Sequence, residues 1–212
     1  MRHITFFIGF LLISSYINVI NGNPIVKMED SGEWELRKDK GGIKVYTKEH
    51  KEDDILEYKA TVVINTDIEK LIHIIHDVEN YPSWTTNCQS AEIVEVLNDT
   101  TRIEYLTTAV PWPLTDRDVV LQFQVVKQTD VYFEATLKSK PEAVPENDKN
   151  TRIVISQGNW IFKTINDSQV EIEHQFLSDP GGGIPMWIVN MFIVSGPYKT
   201  LHNLKELCEK ED

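Results

Sequence analysis

The sequence predicts an α+β protein in which an antiparallel β-sheet precedes a long C-terminal helix. Three observations lead to this fold class. Between residues 91 and 177 nearly every segment has the composition and length of a β-strand, with short polar turns between neighbours. An amphipathic helical segment precedes this region, and a strongly apolar helical segment follows it. Because strands joined by short turns pair antiparallel, the central region predicts a meander.

The first 22 residues have the charge order of a secretory signal peptide. Arg2 and His3 precede an apolar stretch from Ile4 to Ile20. A retained membrane anchor is the alternative, although a run of about 17 apolar residues is only marginally long enough to span a bilayer. We therefore predict a signal peptide over residues 1–22, one domain over residues 23–212, and a secreted or periplasmic location.

The composition limits the partners of the chain. Its formal net charge is -12 at pH 7, which disfavours nucleic acid and anionic membrane surfaces. Cys88 and Cys208 are the two cysteines, too few for a disulfide framework. An exported protein could form one bridge between them, and two unpaired thiols fit the sequence equally well.

The predicted elements begin with a short amphipathic helix at Ser31 to Leu36, which Gly41-Gly42 would end. Strands follow at residues 43–48 and 55–64, each ended by polar residues.

The main internal helix begins at a capping-box pattern of Thr66 and Glu69 and ends before Tyr81-Pro82, because proline disfavours helix in the preceding residue. The strands of the meander follow it, and the stretch from Pro141 to Asn150 is predicted to be a surface loop. The predicted strands are 91–97, 101–108, 119–128, 131–138, 151–165 and 169–177.

The last predicted element is a helix from Pro185 to Lys210 with two different halves. Met186 to Val194 is apolar on every side except at Asn190, so this half requires apolar surroundings. Pro197 lacks a backbone donor, which predicts a kink near Gly196.

In this order the elements form a helix-grip fold, a curved antiparallel sheet wrapped around the C-terminal helix. The sequence resembles the START family, the steroidogenic acute regulatory protein-related lipid-transfer domains, over about residues 30 to 210. The motifs that carry the resemblance are Tyr81-Pro82-Ser83-Trp84, the run from Pro111 to Val119, the run from Gly158 to Phe162, and the run from Asp179 to Pro185.

The resemblance implies a cavity for one lipid between the sheet and the C-terminal helix. It implies a gate at Val110 to Asp116 and a lid at Ile184 to about Val194. Trp112 in the gate and Trp187 in the lid are expected to contact the ligand. Four further residues are expected to shape the gate and lid, namely Arg117, Asp118, Gly182 and Pro197. Arg117 is more compatible with pinning the gate loop than with binding the ligand.

Two polar residues are candidates for binding the ligand inside that cavity. Strand alternation makes His174 the lone polar group on an otherwise apolar face, where it would bind a ligand head group or be a core histidine satisfied by a carbonyl. Glu104 occupies the place of an acid that some START members pair with an arginine, and an exposed carboxylate is the alternative. The strand at 119–126 contains no Arg or Lys, so sterol recognition by such a pair is not expected. The remaining candidate contacts are Phe133, Phe176 and Asn190.

The sequence therefore predicts a monomeric, non-catalytic lipid-binding or lipid-transfer protein that contacts membranes transiently and needs no cofactor. The expected ligand is a hydrophobic small molecule, either a phospholipid, a fatty acid or a sterol-like compound. His73 and His76 could in principle bind a metal, but a solvated helix face is the interpretation we adopt, so no metal is predicted. The alternatives are a polyketide cyclase-like enzyme that uses His174 or Glu104 as acid or base, and an interaction module without a cavity.

Overall fold

The computed structural model describes residues 33–50, 55–181 and 184–210. Ten strands form one curved sheet in the order β1-β2-β3-β10-β9-β7-β6-β5-β4, with β8 beside β6. The strands are β1 (Glu35–Lys40), β2 (Ile43–His50), β3 (Ile55–Asn65), β4 (Cys88–Asn98), β5 (Thr101–Thr108), β6 (Arg117–Thr129), β7 (Tyr132–Ser139), β8 (Thr151–Ile153), β9 (Ile155–Asn166) and β10 (Gln169–Asp179). All neighbouring pairs are antiparallel except β6 with β8.

Four α-helices accompany the sheet: α1 (Ile68–His76), α2 (Tyr81–Trp84), α3 (Met186–Asn190) and α4 (Gly196–Glu209). Two single-turn 3₁₀ helices lie at Val78–Asn80 and Pro141–Ala143. Between α3 and α4 the backbone is π-helical over Met191–Ser195, and the N–H of Gly196 donates to the carbonyl of Met191. The backbone irregularity that Pro197 predicted near Gly196 is therefore a π-helical turn.

The antiparallel sheet and the long final helix confirm the predicted helix-grip fold. Bulges bend the sheet, because an extra residue on one strand increases the local bend and twist. The pairing of β4 with β5 shifts register at three places, and the pairing of β6 with β7 shifts between Val125 and Lys127. The concave face and the buried sides of α1 and α4 form the core, where the Phe133 and Phe162 rings stack at 5.2 Å.

The prediction of a helix at Ser31 to Leu36 is wrong where the structure describes that segment. Residues 35 and 36 begin strand β1, which pairs with β2 as a hairpin. Gly41 and Gly42 form its two-residue turn with φ values of +62° and +78°. Positive φ at both positions matches the twist of a hairpin, so the glycines turn a strand and do not end a helix.

Two other boundaries can be compared with the prediction. Helix α1 ends at His76, before Tyr81 as predicted, but Pro82 is not the cause, because it lies in the first turn of α2, where a helix needs no backbone donor. The predicted strand at 151–165 is divided at Val154 into β8 and β9. Within the described residues no helix is long and apolar enough to cross a bilayer.

Candidate functional site

A cavity of about 450 Å³ lies between the concave face of the sheet and the C-terminal helix. Aliphatic and aromatic side chains make up most of its lining. Leu106, Leu121 and Leu137 line it from the sheet, and Val189, Phe192 and Ile193 line it from α3 and the π-helical turn. This volume is within the range of about 300–1,000 Å³ typical of sites that enclose one small molecule.

Glu104 lines the cavity from β5 and is only 1% exposed. Its carboxylate accepts a hydrogen bond from Nε of Arg102 at 2.7 Å. Burial raises the pKa of Glu104 to about 7, although the ion pair with Arg102 acts in the opposite direction.

The base that pairs with Glu104 comes from its own strand, which we had not predicted. The strand at 119–126 contains no Arg or Lys, which is why sterol recognition by such a pair is not expected from the sequence. Residues two apart on a strand face the same side, so Arg102 and Glu104 both lie on the concave face. An acid–base pair is thus present, with both members on β5.

Arg102 connects this pair to helix α1. Its Nη2 donates to the carbonyl of Ile75 at 3.0 Å, and its Nη1 lies 2.8 Å from Nδ1 of His76. Burial and the nearby guanidinium lower the pKa of His76. Among the described residues no group of three or more His, Cys, Asp and Glu side chains could hold a metal ion.

His174 lines the cavity from β10 and is 7% exposed. Its Nδ1 lies 2.9 Å from the carbonyl oxygen of Asn159, and its ring stacks on Trp160 with centroids 3.7 Å apart. Burial lowers the pKa of His174 to about 4. His174 is thus both a histidine satisfied by a carbonyl and a residue of the cavity wall.

Arg117 joins the gate loop to the segment that leads to the lid. Its guanidinium donates to the carbonyls of Thr115, Pro180 and Gly181. Asp116 holds the loop from inside, since its carboxylate accepts from the N–H of Val110 at 2.9 Å. Arg117 also lines the cavity, so this part of its wall is held by charged side chains bound to the backbone, Arg117 to carbonyls and Asp116 to an N–H.

The other predicted gate and lid residues have different surroundings. Asp118 is buried away from the cavity and pairs with Arg152 at 2.9 Å. Pro197 lines the cavity, whereas Gly182 lies outside the described residues.

The remaining predicted ligand contacts are divided between the cavity wall and other locations. Phe176 lines the cavity, while Phe133 is fully buried against Phe162 in the core. Trp112 is 89% exposed and Trp187 is 60% exposed, so neither contributes to the described lining. Asn190 is half-buried and also lies outside the lining.

Five aromatic residues of the cavity were not among our predicted contacts. They are Tyr58, Tyr81, Trp84, Trp160 and Phe192. Alternation along β3 could have indicated Tyr58, because it has the same parity as the buried residues Ala60 and Val62. Both cysteines are free thiols, which settles the choice that the sequence left open.

Comparison with known proteins gives matches over most of the chain. A sequence profile described as the START domain matches residues 27–211. An uncharacterized protein of Pseudomonas aeruginosa is 29% identical, with 84% of this chain and 88% of that protein covered. Phosphatidylcholine transfer protein of Rattus norvegicus is 21% identical, with 84% of each chain covered.

Solved structures agree in fold. A fragment of a STAR-related lipid transfer protein from Xanthomonas axonopodis matches with a TM-score of 0.75 and 26% identity, covering 84% of this chain and 99% of that one. The Zhui aromatase/cyclase of Streptomyces matches with a TM-score of 0.50 and 11% identity, covering 73% of this chain and 94% of that one, which is a likeness of fold alone.

Proposed function

The chain belongs to the START domain family, and on that premise we propose that it is a carrier that holds one hydrophobic molecule beneath its C-terminal helix. The observation that supports this proposal is the cavity of about 450 Å³ with its mostly apolar lining. Phospholipids, fatty acids and sterol-like compounds are the ligand classes considered. Release into a membrane completes the proposed activity.

The free energy of such binding comes from burial of apolar surface. A ligand that loses about 400 Å² of apolar surface from water gains about 10 kcal/mol at about 25 cal/mol per Å². That gain is comparable with the cost of association, about 4–15 kcal/mol. The affinity therefore depends on how closely the ligand fits the cavity. Burial of apolar surface alone therefore offsets the cost of association when the ligand fits the cavity closely.

A variant that fills the cavity tests the proposal. Leu106 lines the cavity, so Leu106→Trp should remove space and reduce binding of a fluorescent fatty probe at least tenfold. Val96→Trp is the matched control, because Val96 is 68% exposed and lies outside the lining. Mass spectrometry of an organic extract should find a lipid in the wild type and the control and little in Leu106→Trp. Equal lipid content in all three proteins would contradict a ligand in this cavity.

A second candidate is acid–base catalysis in the same cavity, in the manner of a polyketide cyclase. One observation favours it: the pKa of Glu104, raised to about 7, suits proton transfer near neutral pH. Mass spectrometry of the organic extract of the purified protein distinguishes the two functions. A product that accumulates with the wild type and not with Glu104→Gln supports the enzyme, and unaltered membrane lipid in both supports the carrier.

We further propose that the protein works outside the cytoplasm and contacts membranes with its exposed tryptophans. The location rests on the signal peptide predicted at residues 1–22, which lie outside the described residues. Trp112 in the gate and Trp187 in the lid suit the interface between water and lipid, where amphipathic rings are favoured. Cleavage of the leader and export of the full-length chain are tested by N-terminal sequencing of the mature protein.

A further inference from the structure

Two polar side chains face each other on an aromatic part of the cavity wall. Tyr58 on β3 and His174 on β10 belong to hydrogen-bonded neighbouring strands, and both line the cavity. Their ring centroids are 5.4 Å apart in an edge contact. Trp160 and Phe176 surround them, so these two residues bring polar atoms to an otherwise apolar region.

The hydrogen bond of His174 determines where its proton lies. A carbonyl oxygen only accepts hydrogen bonds, so the contact between Nδ1 and the carbonyl of Asn159 requires a proton on Nδ1. In the neutral ring, Nε2 then carries a lone pair and accepts. Burial lowers the pKa of His174 to about 4, which keeps the ring neutral at physiological pH.

Neither Nε2 of His174 nor the hydroxyl of Tyr58 has a hydrogen-bond partner among the described residues. Glu104 differs in this respect, since its carboxylate is paired with Arg102. Three strands, β9, β7 and β6, separate β10 from β5 in the sheet. Tyr58 and His174 therefore lie in a different part of the cavity wall from Glu104. Polar atoms packed among aromatic side chains lose free energy when they stay unpaired.

We propose that Tyr58 and His174 form a recognition site for a ligand hydroxyl, so that the carried molecule is an apolar alcohol. The ligand hydroxyl donates to Nε2 of His174 and accepts from the hydroxyl of Tyr58. This inference rests on the proposed function, because it names the chemical class of ligand in the same cavity.

An ionised carboxylate and an ether each match only part of this site. The carboxylate offers only acceptors, so it places a negative charge against the lone pair of Nε2. An ether of the same shape accepts from Tyr58 but leaves Nε2 unpaired. A site built for a hydroxyl therefore rejects both, because each leaves or creates an unfavourable polar contact.

The experiment compares three ligands of equal chain length by displacement of a fluorescent probe. They are a long-chain primary alcohol, its methyl ether and the corresponding fatty acid. The wild type should bind the alcohol about 10- to 100-fold more tightly than the ether. His174→Phe keeps an aromatic ring and should reduce this preference to less than about threefold, with ether affinity unchanged. Tyr58→Phe should weaken binding of the alcohol and the ether alike, because both accept a hydrogen bond from the Tyr58 hydroxyl. Tyr132→Phe is the control, because the Tyr132 hydroxyl binds Glu134 outside the cavity.

A second readout follows the imidazole itself. The ¹⁵N chemical shift of His174 Nε2 should move when the alcohol binds and stay constant with the ether. Equal affinity for alcohol and ether in the wild type, or an alcohol preference that persists in His174→Phe, would overturn the hydroxyl site while leaving the carrier function intact. If the wild type bound none of the three ligands and its organic extract contained no lipid, the proposed function would fail together with this site.

Discussion

Glu104 illustrates what a single residue reveals about the cavity. Strand parity and the family resemblance suggested an inward acid, and the structure places it on the concave face. The partner base was not predicted, because the family resemblance implies a base on the neighbouring strand and Arg102 lies on the same strand as Glu104. A pattern of Arg and Glu at i and i+2 occurs on many exposed strands, so the sequence alone does not distinguish a buried pair from a solvated one.

The raised pKa of Glu104 makes stability depend on pH. The carboxyl ionises near pH 4.5 when the chain is unfolded and near pH 7 when it is folded. Stabilisation by the protonated form is therefore complete below about pH 4.5 and is lost as the pH rises to about 7. The loss of unfolding free energy across this range should be about 3 kcal/mol. Urea titrations of the wild type at pH 5 and pH 8 measure it.

Glu104→Gln supplies the control for this measurement. The amide still accepts from Arg102 but does not titrate. Subtracting the two pH profiles cancels the other groups, including His76, whose lowered pKa contributes in the opposite direction. Identical profiles for the two proteins would show that Glu104 ionises normally in the folded state.

At the scale of elements, predictions were wrong where the same residue pattern is typical of two kinds of structure. Two glycines after a charged segment are typical of a helix end, and equally of a hairpin turn. In the structure Gly41 and Gly42 form the turn between β2 and the edge strand β1, which pairs with β2 alone. The polar segment Glu35–Lys40 carries no apolar alternation, so local pattern did not favour the strand.

The loop from Pro141 to Asn150 depends on one buried ion pair. Arg152 binds Asp118 and donates to the carbonyls of Pro141, Val144 and Pro145. Arg152→Met keeps most of the volume but leaves Asp118 buried without its partner, so the unfolding free energy should fall by about 3–5 kcal/mol. Limited proteolysis should then cut within residues 141–150 faster than in the wild type.

An exposed ion pair at the same loop is the comparison. Lys140 lies 4.0 Å from Glu142, and both side chains are in contact with solvent. Lys140→Met should cost less than about 1 kcal/mol, because water screens such pairs. Losses of equal size in the two variants would mean that Arg152 does not organise the loop.

For the whole molecule, prediction from the sequence was most accurate for elements with a clear pattern of apolar residues. Strand β5 was predicted at its observed bounds, and the division of the C-terminal segment was expected from its uniform apolarity and Pro197. The cavity contacts were predicted less well. Parity assigns a side chain to a face, as it did for His174 and Phe176, but sheet curvature decides which residues of that face meet the cavity. Phe133 shares the face and lies in the packed core instead.

Exposure of Trp112 and Trp187 leads to a prediction about transfer between membranes. Both rings belong to the segments that enclose the cavity, so they are placed to enter a membrane surface while the ligand leaves. The double variant Trp112→Ala and Trp187→Ala should slow lipid transfer between zwitterionic vesicles about tenfold and keep its affinity for a soluble probe. Zwitterionic vesicles are chosen because a net charge of -12 repels anionic surfaces.

Val131→Ala is the matched control for those tryptophans. Val131 is exposed just beyond the end of β6, whereas the gate precedes its start, and a strand of 13 residues spans about 44 Å. A loss of transfer in this control would assign the effect to general surface hydrophobicity. Unchanged transfer in the double variant would mean that the gate and lid release the ligand without entering the membrane. In that case opening must depend on the bonds of Arg117 to Pro180 and Gly181, since these join the gate to the segment before the lid.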